Sequence, residues 1–251
     1  LHRFNSHFSQ IVNTSLHQVL GHDFTETAAT EFRMYQKEEL QEIALGFFLH
    51  DIGMVLLPKE ILMKTEALTP EEMTLVRTHS YHYGPKILTK NNINSVMIRN
   101  IVSHHHAAVY PGESNSYPEN VSPQEVPLYV KVCKLVDQYD AMTSKRPHRA
   151  AINPITAVTN IVRWNADKNR CLQLLLASFV KVIGVYPPGS VIYLQNGQLA
   201  YVLDSAGPTV IPFTDIYQKP LSPASEPIDL DTPEYRYSDM QVDRRKPPLD
   251  P

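Results

Sequence analysis

Cysteine, glycine and tryptophan are scarce in this chain, at 2, 9 and 1 of 251 residues. Cys133 and Cys171 sit in apolar, helix-like patterns and read as buried free thiols, which fits a reducing cytoplasm. No apolar run approaches the roughly 20 residues needed to span a bilayer, and no secretory signal pattern is present. Excess positive charge is missing as well. A net charge of −3 argues against an extended basic surface for a long nucleic acid. What the chain has in excess is histidine: of 11, six fall between residues 50 and 106.

Apolar periodicity predicts a mainly helical chain. Residues 5–36 place Leu16, Leu20, Phe24, Ala28 and Phe32 on one helical face, with His17 beside it and His22 about a quarter-turn away. A second helix follows the polar break 36–39 and ends on the adjacent pair His50-Asp51. The segment from Val55 to Leu62, interrupted by Pro58, reads as a loop. Thr69, Pro70 and Glu72 form a helix start: a capping residue, a first-turn proline and a capping-box partner. That helix carries His79 near its end. Another is predicted over 87–103, with His104 and His105 on its apolar face, then a Pro-, Ser- and Asn-rich loop from Tyr110 to Pro123. Pro127 to Ser144 is helical, with Asp137 and Asp140 on the face of Val130 and Cys133. Two more helices follow, opened by Pro154 and Asn169. The pattern then changes to short strands around Asn196-Gly197, a dipeptide that favours hairpin turns.

Inward-facing polar residues thus accumulate: His17, His50, Asp51, His79, His104, His105 and Asp137. A single buried histidine is most often satisfied by ordinary hydrogen bonds, but seven such groups need a common explanation. Neutral imidazole and ionised carboxylate are both metal ligands. Five histidines and two aspartates exceed one tetrahedral site, so two ions bridged by a carboxylate are expected. Nitrogen and oxygen donors without thiolate suit iron, manganese, nickel or zinc.

These residues resemble the HD-GYP subgroup of the HD phosphohydrolase superfamily. His50-Asp51-Ile52-Gly53 is similar to its signature, and Leu68-Thr69-Pro70-Glu71-Glu72 leading to His79 to its next segment. Ser103-His104-His105 resembles its paired histidines, Tyr110-Pro111 its Gly-Tyr-Pro, and Asp137 to Ala141 its Asp-x-x-Asp-Ala. Gly184-Val185-Tyr186-Pro187-Pro188-Gly189 and Asn196-Gly197 resemble the small β-extension of many members.

The resemblance implies an HD-type helical bundle around a binuclear metal site, with a small C-terminal β-extension. It implies one ion on His17, His50, Asp51 and Asp137, with His22 the alternative to His17. Asp51 would bridge to a second ion on His79, His104 and His105; His82 and His106 would be a loop residue and a supporting or surface residue. Asp140 would orient a ligand or a bound water, while Tyr110, Arg146 and Arg149 would meet the substrate. The implied activity is a cytoplasmic, bacterial phosphodiesterase that opens cyclic di-GMP to pGpG or GMP through a metal-bridging hydroxide.

The chain departs from the family pattern in three places. Met54 replaces a lysine, the run from His106 to Pro111 is shortened and lacks the usual Glu and Asp-Gly, and His148 replaces a tyrosine. These differences favour a second reading, a catalytically impaired module that binds a cyclic dinucleotide or a signalling-protein partner. The expected division is a helical metal-binding domain over 1–183, a β-extension over 184–217 and a Pro-rich extended tail over 218–251.

Overall fold

The computed structural model describes residues 35–145, 150–204, 208–223 and 225–249. The fold is mainly α, with a four-stranded antiparallel sheet near the C-terminus. Two compact units are formed: one from the described residues up to Gln138 together with Asp167–Ser178, the other from Tyr139–Ala166 and Phe179 onward. No helix among the described residues is long and apolar enough to cross a membrane.

In the first unit, α1 (Lys37–Leu49) starts at a capping box between Gln36 and Glu39 and ends at His50. A 3-10 turn (Ile52–Leu56) follows, then a single helical turn, α2 (Lys59–Leu62), where the sequence suggests only loop. Helix α3 (Pro70–Thr78) is capped by Thr69 and Glu72 as the sequence predicts, and runs into a π-turn over His79–Tyr83. The helix expected over 87–103 is two helices, α4 (Gly84–Lys90) and α5 (Val96–His104). Asn92 breaks it by adopting φ 56°, a conformation that asparagine tolerates. Ser95 then restarts the helix by accepting the Ile98 N–H. Helix α6 is Leu128–Thr143. Its Val130 and Cys133 pack with Ile43 of α1, Ile101 of α5, Ala107 and Val126. A second cluster of Leu88, Ile98 and Val102 holds α4 against α5. Each fully buried aliphatic side chain of this kind contributes about 1.5–3 kcal/mol.

In the second unit, α7 (Pro154–Asn165) is capped by Asn153, and α8 is Arg170–Ile183, shared between the units. Strands β1 (Val191–Tyr193), β2 (Leu199–Asp204), β3 (Thr209–Pro212) and β4 (Ile228–Asp229) lie side by side in that order. The β1–β2 register pairs Ile192 with Ala200. Gly197, at φ 96°, supplies the turn that Asn196-Gly197 predicts. Residues 218–249 do more than cover a surface. They provide β4 and return to bridge Val191 through Leu249 and Leu194 through Val242. The reason is apolar anchoring: Leu230 is fully buried in the sheet core and Val242 packs on it. Buried Asn153 donates to the carbonyls of Val191 (2.8 Å) and Leu249 (2.6 Å), tying strand and tail together.

Candidate metal centre

Three helix ends meet at Asp51. His50, His79 and His105 are the C-terminal caps of α1, α3 and α5. The last carbonyls of a helix lack intrahelical donors, and each of these histidines satisfies one with Nδ1–H. His50 donates to Phe47 O (2.8 Å), His79 to Val76 O (2.7 Å), and His105 to Ile101 O (3.1 Å) and Val102 O (3.2 Å). A carbonyl can only accept, so Nδ1 carries the proton and the neutral ring offers Nε2 as a lone pair.

The three Nε2 atoms converge on one carboxylate. His79 Nε2 is 3.0 Å and His105 Nε2 is 3.4 Å from Asp51 Oδ1; His50 Nε2 is 3.3 Å from Oδ2. The His79 and His105 Nε2 atoms are themselves 3.3 Å apart. These are acceptors facing acceptors, an arrangement that only protons or a cation can stabilise. The helix ends add partial negative charge, each favouring a nearby cation by about 0.3–1 kcal/mol. Asp137 of α6 adds a second carboxylate, 3.7 Å from His50 Nε2.

Without a metal, protons meet this demand. Burial alone would lower the His50 imidazole, but the carboxylates of Asp137 and Asp51 outweigh it and raise the pKa to about 10. Burial pushes Asp51 up, yet the hydrogen bonds of His105, His50 and His79 hold it well below the usual carboxylate range. His106 goes the other way. Burial, followed by the charge of His105, pulls it down to about 3, so it stays neutral and ready to ligate.

Gly53 makes the convergence possible. A Cβ there would collide with the His79 carbonyl oxygen and crowd the Gly84 nitrogen. The 3-10 turn after Asp51 can therefore lie directly against the π-turn that begins at His79. Asp51 retains 49% side-chain exposure, so the centre opens to solvent on one side.

Four residues present ligand atoms that all lie within 4.8 Å of one another: Asp51, His79, His105 and His106. His50 and Asp137 adjoin them. His104, expected from the sequence to be a ligand, is not in this group, whereas His106 is. Helix α5 ends at His104, and the chain turns there so that the two following rings face inward, 4.2 Å apart between centroids. Tyr110, expected from the sequence to meet the substrate, faces Lys168. Its ring lies beneath Lys168 Nζ (5.7 Å), while Tyr117 stacks on His106 at 4.5 Å. The intervening loop folds back on itself. Tyr117 N–H donates to His106 O (3.1 Å), and Lys134 clamps the loop through Glu113 (2.8 Å) and the Ala107 carbonyl (2.7 Å). A second Tyr-Pro dipeptide, Tyr117-Pro118, was the available sequence signal.

Asp140, three residues beyond Asp137, is exposed and accepts the Ser144 hydroxyl (3.2 Å). His82 is exposed beside Tyr83. His17, His22, Arg146 and Arg149 lie outside the described residues. Two residues that sequence reasoning passed over stand near Tyr117: Arg77, 5.4 Å from the ring centroid, and Tyr81, at 6.4 Å. Cys133 is buried in the apolar cluster beneath the centre, where burial and then the charge of Asp137 push its thiol up.

The donor set is therefore nitrogen and oxygen without sulfur, pre-oriented by backbone carbonyls, and it fits a divalent transition metal. The chain is 30% identical over 172 residues to a cyclic di-GMP phosphodiesterase of Pseudomonas aeruginosa, covering 68% of this chain and 40% of that protein. It is 26% identical over 142 residues to a cyclic di-GMP phosphodiesterase response regulator of Xanthomonas campestris, covering 56% and 37%. A 3'3'-cGAMP-specific phosphodiesterase of Vibrio cholerae is 28% identical over 163 residues, covering 63% and 34%. The chain thus spans less than half the length of each of these relatives. The HD domain family itself matches over residues 7–170, a stretch that contains the His50-Asp51 pair and every member of the cluster, and the chain belongs to that family.

Proposed function

We propose that this chain is a metal-dependent phosphodiesterase acting on a cyclic dinucleotide, with cyclic di-GMP the leading substrate, in a bacterial cytoplasm. The observation that carries the reading is the convergence of three Nδ1-anchored histidines on Asp51. Two ions fit this set. His50, Asp51 and Asp137, with His17 from the segment outside the described residues, would hold one; Asp51, His79, His105 and His106 would hold the other. Iron or manganese suits these donors, with zinc or nickel also compatible. Bound there, the metals would supply Lewis acidity to a phosphodiester and hydroxide at neutral pH.

The chain's own groups then position the substrate. Tyr117 and Tyr81 offer aromatic faces beside the centre, and Arg77 offers a cation for a phosphate oxygen. Arg146 and Arg149 are proposed to add to this grip. Opening one diester of cyclic di-GMP gives pGpG, and a second cleavage gives GMP.

A second reading, a module that binds cyclic dinucleotide or a signalling protein with little turnover, is favoured by two side chains. Met54 brings no charge beside Asp51, and Ala107, directly after the inward-facing histidines, is fully buried and cannot act as an acid. The test is turnover of cyclic di-GMP and 3'3'-cGAMP by metal-loaded protein, with products separated by chromatography and Asp51→Ala as control. Product that requires Asp51 supports the enzyme. Tight binding without product in the metal-loaded wild type supports the module.

A further inference from the structure

Two sequence features take no part in the metal centre: the turn Gly184–Gly189 and the basic run Arg244-Arg245-Lys246. The second unit brings them together. Gly184 and Gly189 adopt φ of 93° and 84°, which residues with a Cβ rarely reach. Between them Pro187 is buried, the Ser190 N–H bonds to its carbonyl (3.1 Å), and the Gly189 N–H bonds to Val202 O (2.8 Å). This stiff turn packs Tyr186 against the sheet core. Opposite it, the Asp243 N–H donates to Tyr193 O (2.8 Å), which pins the tail to β1. The Asp243 carboxylate is buried and is engaged by Arg245 through Nε (2.8 Å) and Nη2 (3.2 Å). That pair cancels its own charge. Arg244 has no ion-pair partner among the described residues, and Lys246 Nζ rests 4.4 Å from the Tyr193 ring centroid.

Between these groups lies a cavity of about 260 Å³, walled by Tyr186, Tyr193, Arg244, Lys246 and the Arg245-paired Asp243 over an apolar floor of Ile155 and Ile192. A neighbouring cavity of about 620 Å³ shares Tyr186, Val242, Asp243 and Arg244 as wall. We propose that this is a binding site for a nucleoside phosphate, separate from the metal centre. The base would lie against Tyr186 and the apolar floor, and the phosphate between Arg244 and Lys246. Aromatic faces accept any base, and cations outside a direct ion pair suit phosphate oxygens. An apolar ligand would leave the Arg244 charge unpaired, and a simple anion would leave the aromatic wall unused.

The test is calorimetric titration of the full chain with GMP, guanosine and inorganic phosphate, repeated with Arg244→Ala, Lys246→Ala and Asp51→Ala. Arg244 and Lys246 are exposed, so their removal leaves the core intact. GMP is expected to bind, to weaken about fivefold or more in either cation variant, and to bind Asp51→Ala as tightly as wild type. Guanosine and phosphate alone should each bind about tenfold more weakly than GMP. The proposal is overturned by absent GMP binding, by phosphate binding as tightly as GMP, or by binding lost in Asp51→Ala and unchanged in Arg244→Ala.

Discussion

His79 Nε2 stands 3.0 Å from Asp51 Oδ1 while its Nδ1–H is held by the Val76 carbonyl at 2.7 Å. One ring thus serves two structures, closing the end of α3 and presenting a lone pair to a carboxylate. His50 and His105 repeat the arrangement at the ends of α1 and α5. The fold and the centre are in this sense one construction, and perturbing either should disturb both.

Gly53→Ala tests that coupling. The added methyl meets the His79 carbonyl oxygen, a backbone atom that cannot swing aside. The variant should lose about 1–3 kcal/mol of stability and bind metal more weakly, as read by thermal melting and metal titration. A melting temperature and affinity equal to wild type would contradict the close approach.

The choice between adjacent histidines is equally testable. His106→Ala should weaken metal binding by at least the ~10–100-fold that loss of an outer partner costs. His104→Ala should leave it nearly unchanged, since His104 stands outside the ligand group. Equal effects would undo the assignment.

Acidity should matter in opposite directions for the metal-free and metal-loaded protein. In the metal-free fold His50 is raised from 6.5 to about 10. A pKa raised on folding stabilises below the unfolded value, so this contribution is complete below about pH 6.5 and fades as pH climbs through about 10. Chelated wild type should therefore lose stability from neutral to alkaline pH relative to His50→Gln. Metal affinity should rise over the same range, because the ion must displace that proton. Melting curves and metal titrations at pH 6, 8 and 10 measure both; parallel slopes would be the contrary result.

Met54 and its missing charge give a further prediction. If the absent cation is what limits turnover, Met54→Lys should raise phosphodiesterase activity measured on cyclic di-GMP. No gain would direct attention to the rebuilt loop around Tyr110 and Tyr117.

Much of this was legible in the sequence, and the failures have physical causes. Thr69, Pro70 and Glu72 announce their helix because capping is local chemistry. Asn196-Gly197 announces its hairpin for the same reason. His50 and Asp51 stand out because burying such a pair is costly without a bound partner. The run His104-His105-His106 hid the register, since helical periodicity cannot say at which residue α5 stops. Tyr110 and Tyr117 are chemically equivalent as dipeptides with proline. The clamp of Lys134 on Glu113 and Ala107 and the bond from Tyr117 N–H to the His106 carbonyl, contacts between distant residues, hold the second of them at the centre. The anchoring of the tail is hard to see in the sequence because its prolines are conspicuous while its anchors, Leu230 and Val242, are widely spaced.

The most direct measurement of the central claim is elemental analysis of bound metal in wild type and Asp51→Ala, purified side by side without oxygen. The account predicts two transition-metal ions per wild-type chain and almost none in the variant, since Asp51 is the group among the described residues that all three anchored histidines face. Equal metal content in the two proteins, or no metal in either, would contradict it.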